Sequence, residues 1–203
     1  MVNYRTKRIL PVILVIVIII IAIVAMVSLA RAVFFSGNTP SDTDVVDTSR
    51  QSLLSTTADR SVKMTVRGPI VADEQFQSYQ ISVSPSTRSL TTYKGYLDTA
   101  VDQTNLGNNT AAYEQFVYAL DKANLSAGKA LEGDKDEVRG VCATGRVYEF
   151  DIVNAGNSVK HLWTSTCKGS TGSLDASAEQ LRGLFINQIP NSIDIINKVD
   201  LSL

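Results

Sequence analysis

Histidine and tryptophan each occur once in this chain, and cysteine twice. One imidazole and two sulfurs are too few ligands for a zinc centre, and the Cys-x-x-Cys spacing of a dithiol redox site is missing. There is no Gly-x-Ser-x-Gly elbow, no Ser-x-x-Lys pair and no glycine-rich phosphate loop, so the common signatures of acyl and phosphoryl transfer are lacking. Basic charge is scarce as well. Against 20 Asp and Glu stand 19 Lys and Arg, which provides no concentrated basic face for nucleic acid. No cofactor, no metal and no nucleic-acid partner is expected, and no catalytic residue stands out. With 203 residues, the prior is one folded domain and a little more.

Hydrophobicity is abundant in one place. Ile9 to Ala30 (ILPVILVIVIIIIAIVAMVSLA) pass without a charge, and a helix of that length would span the roughly 30 Å apolar core of a bilayer. Arg5, Lys7 and Arg8 precede the run and Arg31 follows. That bias predicts a cytoplasmic tail over 1–8, a membrane helix over 9–32 and everything beyond it outside the plasma membrane. Ala30-Arg31-Ala32 has the small-x-small form of a signal cleavage site, but the run exceeds the usual apolar segment of a signal peptide and an Arg sits inside the motif. An uncleaved signal anchor is the expectation. Beyond residue 35 there remain 15 basic against 20 acidic side chains, a net charge of −5.

Residues 33–48, including SGNTPSDTDVVDT, are rich in small polar types and read as a linker. The domain is expected over 49–203. SRQSLLSTTADR suggests a short helix, and from Ser61 the period becomes two: Val62, Met64 and Val66 alternate with Ser61, Lys63 and Thr65. SYQISV repeats the alternation, and RSLTTYKGY is a plausible third strand of an antiparallel meander. Asn109 or Thr110 can cap a helix whose buried stripe is Tyr113, Phe116, Val117 and Leu120, with Leu125 beyond it. A second helix is expected near the C-terminus, with Asp175 as cap and Leu181, Leu184, Phe185 and Ile189 as its stripe, ended by Pro190. SIDIINKVDLSL adds a last turn or tail strand. The predicted class is α+β: three strands, helix, two strands, helix, with an antiparallel sheet whose helices pack on one face.

The segment CATGRVYEFDIVNAGNSVKHLWTSTC reads as a hairpin turning at Asn154-Ala155-Gly156-Asn157. A regular ladder from that turn sets Ile152 opposite Val159, Phe150 opposite His161 and Tyr148 opposite Trp163, all on one aromatic face. Asp151 would then face Lys160, and Glu149 would face Leu162. Cys167 falls near Cys142 on the aromatic face, and a single bulge at Gly140 or Gly145 would bring the two closer. A Cys142–Cys167 disulfide is therefore predicted, worth roughly 3 to 4 kcal/mol on the chain-entropy model. His161 reads as a core or rim histidine, because its expected neighbours offer no carboxylate to orient it.

Other groupings carry less. Glu132, Asp134, Asp136 and Glu137 lack the spacing of a calcium loop and read as a solvated acidic turn. Asp98 and Asp102 would share a face if YLDTAVDQ were helical. Asn108 and Asn124 fit the glycosylation sequon. Arg139, Arg146 and Lys168 form a candidate basic patch near the disulfide.

The strings TVRGPIVADE, STRSLTTYKGYLD, AYEQFVYALDKANL, RGVCATGRVYEF and LWTSTCKGSTGSLDA together resemble a group of uncharacterised single-pass envelope proteins of Saccharibacteria and related reduced-genome bacteria. The resemblance covers about Ser61 to Val199. It implies a surface-facing domain and carries over no functional residue. The functional expectation is a membrane-anchored extracytoplasmic domain with a non-enzymatic binding or structural role, its partners being the bilayer and an envelope or membrane protein. The alternatives are an accessory subunit of a secretion, pilus or division assembly, and a hydrolase of envelope polymers.

Overall fold

The computed structural model describes residues 48–199 and Leu201. The expected tail, membrane helix and nearly all of the linker lie outside the described residues, among which no helix is long and apolar enough to cross a membrane.

The elements are α1 (Thr48–Leu54), β1 (Arg60–Arg67), β2 (Gln77–Val83), β3 (Thr87–Lys94), β4 (Thr99–Gly107), α2 (Thr110–Lys122), β5 (Val147–Asn154), β6 (Asn157–Ser165), α3 (Ala178–Ile186) and α4 (Ser192–Ile196). All six strands form one antiparallel sheet in the order β4-β3-β2-β1-β5-β6. The α+β class holds, with four strands before the long helix instead of three.

Alternation in β1 does what its period requires. Val62, Met64 and Val66 are buried and point to the helix-covered side. A row through Met64 runs Leu162, Phe150, Met64, Ile81 and Leu90 across five strands. Helix α2 lays Tyr113, Phe116, Val117 and Leu120 on this side, each apolar side chain worth roughly 1.5–3 kcal/mol on burial. Asn109 caps it by accepting from the Ala112 N–H at 2.9 Å. Helix α3 is capped by Ser177, not Asp175. It brings Phe185 edge-on to Phe116, with ring centroids 5.2 Å apart, and also against Phe150.

The strand missed in the sequence is β4. Nearly every position in it is exposed, so no buried face imposes alternation on its side chains. Asp98 therefore lies in the β3–β4 turn with φ 51°, and Asp102 sits in β4 opposite Thr92, not on a helix.

The hairpin turns where expected, with Ala155 and Gly156 at positive φ and Asn154 paired to Asn157. Between Ile152 and Val153 the ladder slips by one residue, leaving Val159 as a bulge. From there His161 faces Asp151, Trp163 faces Glu149, and Leu162 faces Phe150. The expected common aromatic face is thus wrong: Tyr148, Phe150 and Ile152 join the helix-covered core, while His161 and Trp163 point to the opposite side. A regular ladder would have driven the imidazole against Phe150, where an unpartnered polar ring is costly. With the bulge, His161 meets a carboxylate and Lys160 donates to the Ser126 carbonyl instead.

The other edge strand, β4, carries a bulge too, at Val101. Both extra valines are exposed, and such bulges blunt edges against pairing with further chains. The outer edge of β6 is also covered. Ser173 and Leu174 donate their N–H groups to the Trp163 carbonyl, and the Ser173 hydroxyl accepts from the Trp163 N–H.

Candidate functional site

After α2 the chain rounds the outer edge of β6 and reaches the face without helices, where residues 131–146 form a strap. The passage is tight. A Cβ on Gly128 would lie 2.1 Å from the Ser173 carbonyl oxygen. The strap is fastened by the Cys142–Cys167 disulfide, with Cα atoms 5.4 Å apart. This is the predicted bond, but on the other face: the sulfurs join Val147 and Trp163 in a small second core, with Leu131, Val138 and Val141 against it.

The strap makes two concavities. The first is a shallow acidic cleft of about 580 Å³, where Asp134, Asp136 and Glu137 of the strap look across at Glu149, Asp151 and His161 of the sheet. The acidic turn holds a short 3₁₀ segment, Gly133–Asp136, and Glu137 pairs with Arg139, which holds its carboxyl down at about 2. No group of three or more His, Cys, Asp or Glu among the described residues is placed to hold a metal ion.

Within this cleft His161 Nδ1 lies 3.0 Å from Asp151 Oδ1. That hydrogen bond raises the imidazole pKa against the opposing effect of burial. Burial would lift the Asp151 carboxyl, yet bonds from His161 and the Ser158 hydroxyl carry it below the usual carboxylate range. The orienting carboxylate that the sequence did not reveal is therefore present. Ser158 Oγ, however, donates to the same Asp151 oxygen at 2.7 Å and not to the imidazole, so the ring has no hydroxyl nucleophile bonded to it as a catalytic triad requires. The arrangement is a histidine–carboxylate hydrogen bond buttressed by a hydroxyl. Next to it Arg67 Nε donates to Glu149 Oε1 at 2.7 Å, while burial pushes the Glu149 carboxyl up.

The second concavity is a groove of about 600 Å³ at the end of the sheet where β1 stops. Its apolar lining comes from four places: Ile70 and Phe76 in the β1–β2 loop, Tyr96 and Leu97 in the β3–β4 turn, Val138 and Cys142 of the strap, and Val147 at the start of β5. Phe76 and Tyr96 stack with centroids 4.2 Å apart. The Tyr96 hydroxyl donates to the Val71 carbonyl at 2.6 Å and accepts from the Val71 N–H at 3.2 Å. Asp73 Oδ1 accepts from the Tyr96 N–H, so the two loops are locked together. Gly95, at φ 75°, makes the turn that lifts Leu97 outward, leaving it 93% exposed. Arg67 reaches Asp98 at 3.2 Å along one rim, and Arg139 stands on the other.

Of the candidate basic patch, only Arg139 lines the groove. Arg146 donates to the Leu201 carbonyl at 3.2 Å, and Lys168 is exposed in the turn after β6. No hydrogen bond or ion pair joins the three. Asn108 is half-buried, its side-chain amide donating to the Ser84 carbonyl, while Asn124 is exposed at positive φ. The apolar groove residues Ile70, Phe76, Tyr96, Leu97 and Val138 went unnoticed in the sequence, where one signal existed: Tyr96-Leu97 places two large apolar side chains in a tight turn.

Compared with known proteins, the chain matches no family model and no curated protein.

Proposed function

We propose that this chain is a membrane-anchored binding domain of the bacterial cell envelope, non-enzymatic, which presents the aromatic groove to a protein partner on the outer side of the plasma membrane. The anchor reading rests on the charge-free run Ile9 to Ala30 and its basic N-terminal flank. An extracytoplasmic setting agrees with a cystine, since such bonds persist in oxidising compartments.

The observation that carries the binding role is Leu97. A leucine 93% exposed at the tip of a turn pinned by the Tyr96 bonds contributes no packing to its own fold. Beside the Phe76–Tyr96 stack it supplies what a recognition site needs: apolar surface held rigid before the partner arrives, so that little ordering cost remains to be met on binding. Charged groups of both signs at the rim suit a peptide-bearing surface more than a single ion.

The test is site-specific photocrosslinking in intact cells with the probe at position 97, compared with position 159 at the opposite end of the sheet. One envelope protein captured from 97 and absent at 159 is the expected result; identical capture from both positions, or none, would sink the reading. Exchanging Ile9 to Ala30 for an unrelated transmembrane helix should leave that crosslink intact. Its loss would favour the accessory-subunit alternative, in which the membrane helix itself takes part in recognition.

A further inference from the structure

We propose that the Cys142–Cys167 disulfide is a redox latch on the groove: it holds strap residues 137–140 in place as one wall, and reduction by a dithiol releases that wall while the sheet stays folded. The inference rests on the reading of the groove as the binding site and assigns its regulation.

The strap is weakly held except around the disulfide. Its 3₁₀ segment buries no residue, and no side-chain hydrogen bond caps it at Glu132. The backbone bonds at Glu137 and Val141 are local and long, 3.4 Å to Asp134 and Val138 respectively. Arg139 N–H and guanidinium both turn to Glu137, two residues away. Bonds that tie the strap to distant parts of the chain begin at Val141, whose carbonyl accepts from Ser170 Oγ at 2.7 Å, and Ala143, whose carbonyl accepts from the Ile70 N–H at 2.9 Å. These two anchors flank Cys142, and Ser170 lies three residues beyond Cys167. Apart from the edge packing of Val138, the nearest long-range holds on residues 137–140 are thus the cystine and the two hydrogen bonds on either side of Cys142, of which only the cystine is covalent.

The small core beneath the strap has the same dependence. Its fully buried members are Cys142, Val147 and Trp163, so a sulfur is one of three. The helix-covered core contains neither cysteine. Losing the covalent link therefore weakens one side of the sheet and leaves the other side's packing untouched. Stability distributed this unevenly is what lets one segment open alone.

The chemistry requires an approachable sulfur. Cys142 is buried, whereas Cys167 is half-exposed in the turn after β6. A thiolate of the dithiol attacks Cys167 Sγ and forms a mixed disulfide, and Cys142 leaves as a thiolate that takes up a proton. The second thiol of the reductant then displaces Cys167, which is protonated in turn. Two electrons and two protons pass to the protein, and the dithiol departs as a cyclic disulfide.

Hydrogen–deuterium exchange on the full chain, oxidised and after treatment with dithiothreitol, tests this without a ligand, with alkylation and mass spectrometry confirming two free thiols. The expected result is that peptides covering 134–141 lose protection by about tenfold or more, while peptides from β1, β2 and β3 stay protected over the same interval. A Cys142→Ser/Cys167→Ser variant should reproduce the reduced pattern with no reductant present. Unchanged protection of the strap in the reduced protein overturns the latch, as does parallel loss of protection in strap and strands. So does a cystine that resists the dithiol until the whole chain unfolds. None of these outcomes bears on the crosslink from position 97 in the oxidised protein, which judges the binding role separately.

Discussion

His161 stands directly opposite Asp151 across β5 and β6, its Nδ1 3.0 Å from a carboxylate oxygen that also receives the Ser158 hydroxyl. Asp136 and Glu149 add further negative potential around the ring. Because the folded imidazole titrates above its ordinary value, the stability it contributes is complete below about pH 6.5 and is lost as pH rises through the folded pKa. The Asp151 share runs the other way: present above the ordinary carboxylate value, it is lost as pH falls through the depressed folded pKa. The wild-type advantage over His161→Gln should accordingly be about 1 kcal/mol near pH 6 and shrink toward pH 9. Urea midpoints of the two proteins across that range would decide it, and a difference independent of pH would mean that no ion pair forms.

Arg67 and Glu149 are a diagonal pair on the same open face. Glu149 is 8% exposed, so removing its partner strands a carboxylate away from water. Arg67→Ala should cost about 3 kcal/mol at neutral pH, whereas replacing both residues with apolar side chains, Arg67→Met with Glu149→Leu, should cost markedly less. Equal losses in chemical denaturation for the single and the double variant would contradict this.

Gly172 has φ 69°, and a Cβ there would lie 2.1 Å from the Trp163 carbonyl oxygen. That carbonyl accepts from both Ser173 and Leu174, so the segment has no room to retreat without unsealing β6. Gly172→Ala should destabilise by on the order of 3 kcal/mol. Gly183→Ala, whose Cβ would meet nothing within 4 Å, should instead stabilise helix α3 by up to about 1 kcal/mol. Opposite signs in thermal denaturation are the check.

Phe185 is fully buried at the point where α2, α3 and β5 meet, in contact with Phe116 and Phe150. Phe185→Ala opens a cavity in the helix-covered core and should cost about 4 kcal/mol. Leu97→Asp should change stability by less than about 0.5 kcal/mol. Denaturation curves that move for Leu97→Asp as far as for Phe185→Ala would show the turn to be structural instead of a presented surface.

The legible parts of this fold are those with a repeating burial pattern. Val62, Met64 and Val66 announce β1, and Tyr113, Phe116, Val117 and Leu120 announce α2, because one buried side forces its period onto the residues. The disulfide was legible because both cysteines flank one hairpin. Strand β4 was not, since almost no position in it is buried. The groove was not either: the loop of Ile70 and Phe76, the turn of Leu97 and the strap of Val138 are far apart in the chain and meet only after the chain folds.

By itself, then, the sequence determined five of the six strands and the helices α2 and α3, which side chains of β1 and α2 enter the core, and that Cys142 and Cys167 pair. Those follow from local periodicity and short-range geometry. Tertiary structure alone decided which side of the sheet His161 and Trp163 occupy. A bulge at Val159 reverses the faces along the rest of β6, and its placement depends on partners distant in sequence: Asp151 for the imidazole, the Ser126 carbonyl for Lys160, and the hydrophobic row through Phe150 for Leu162.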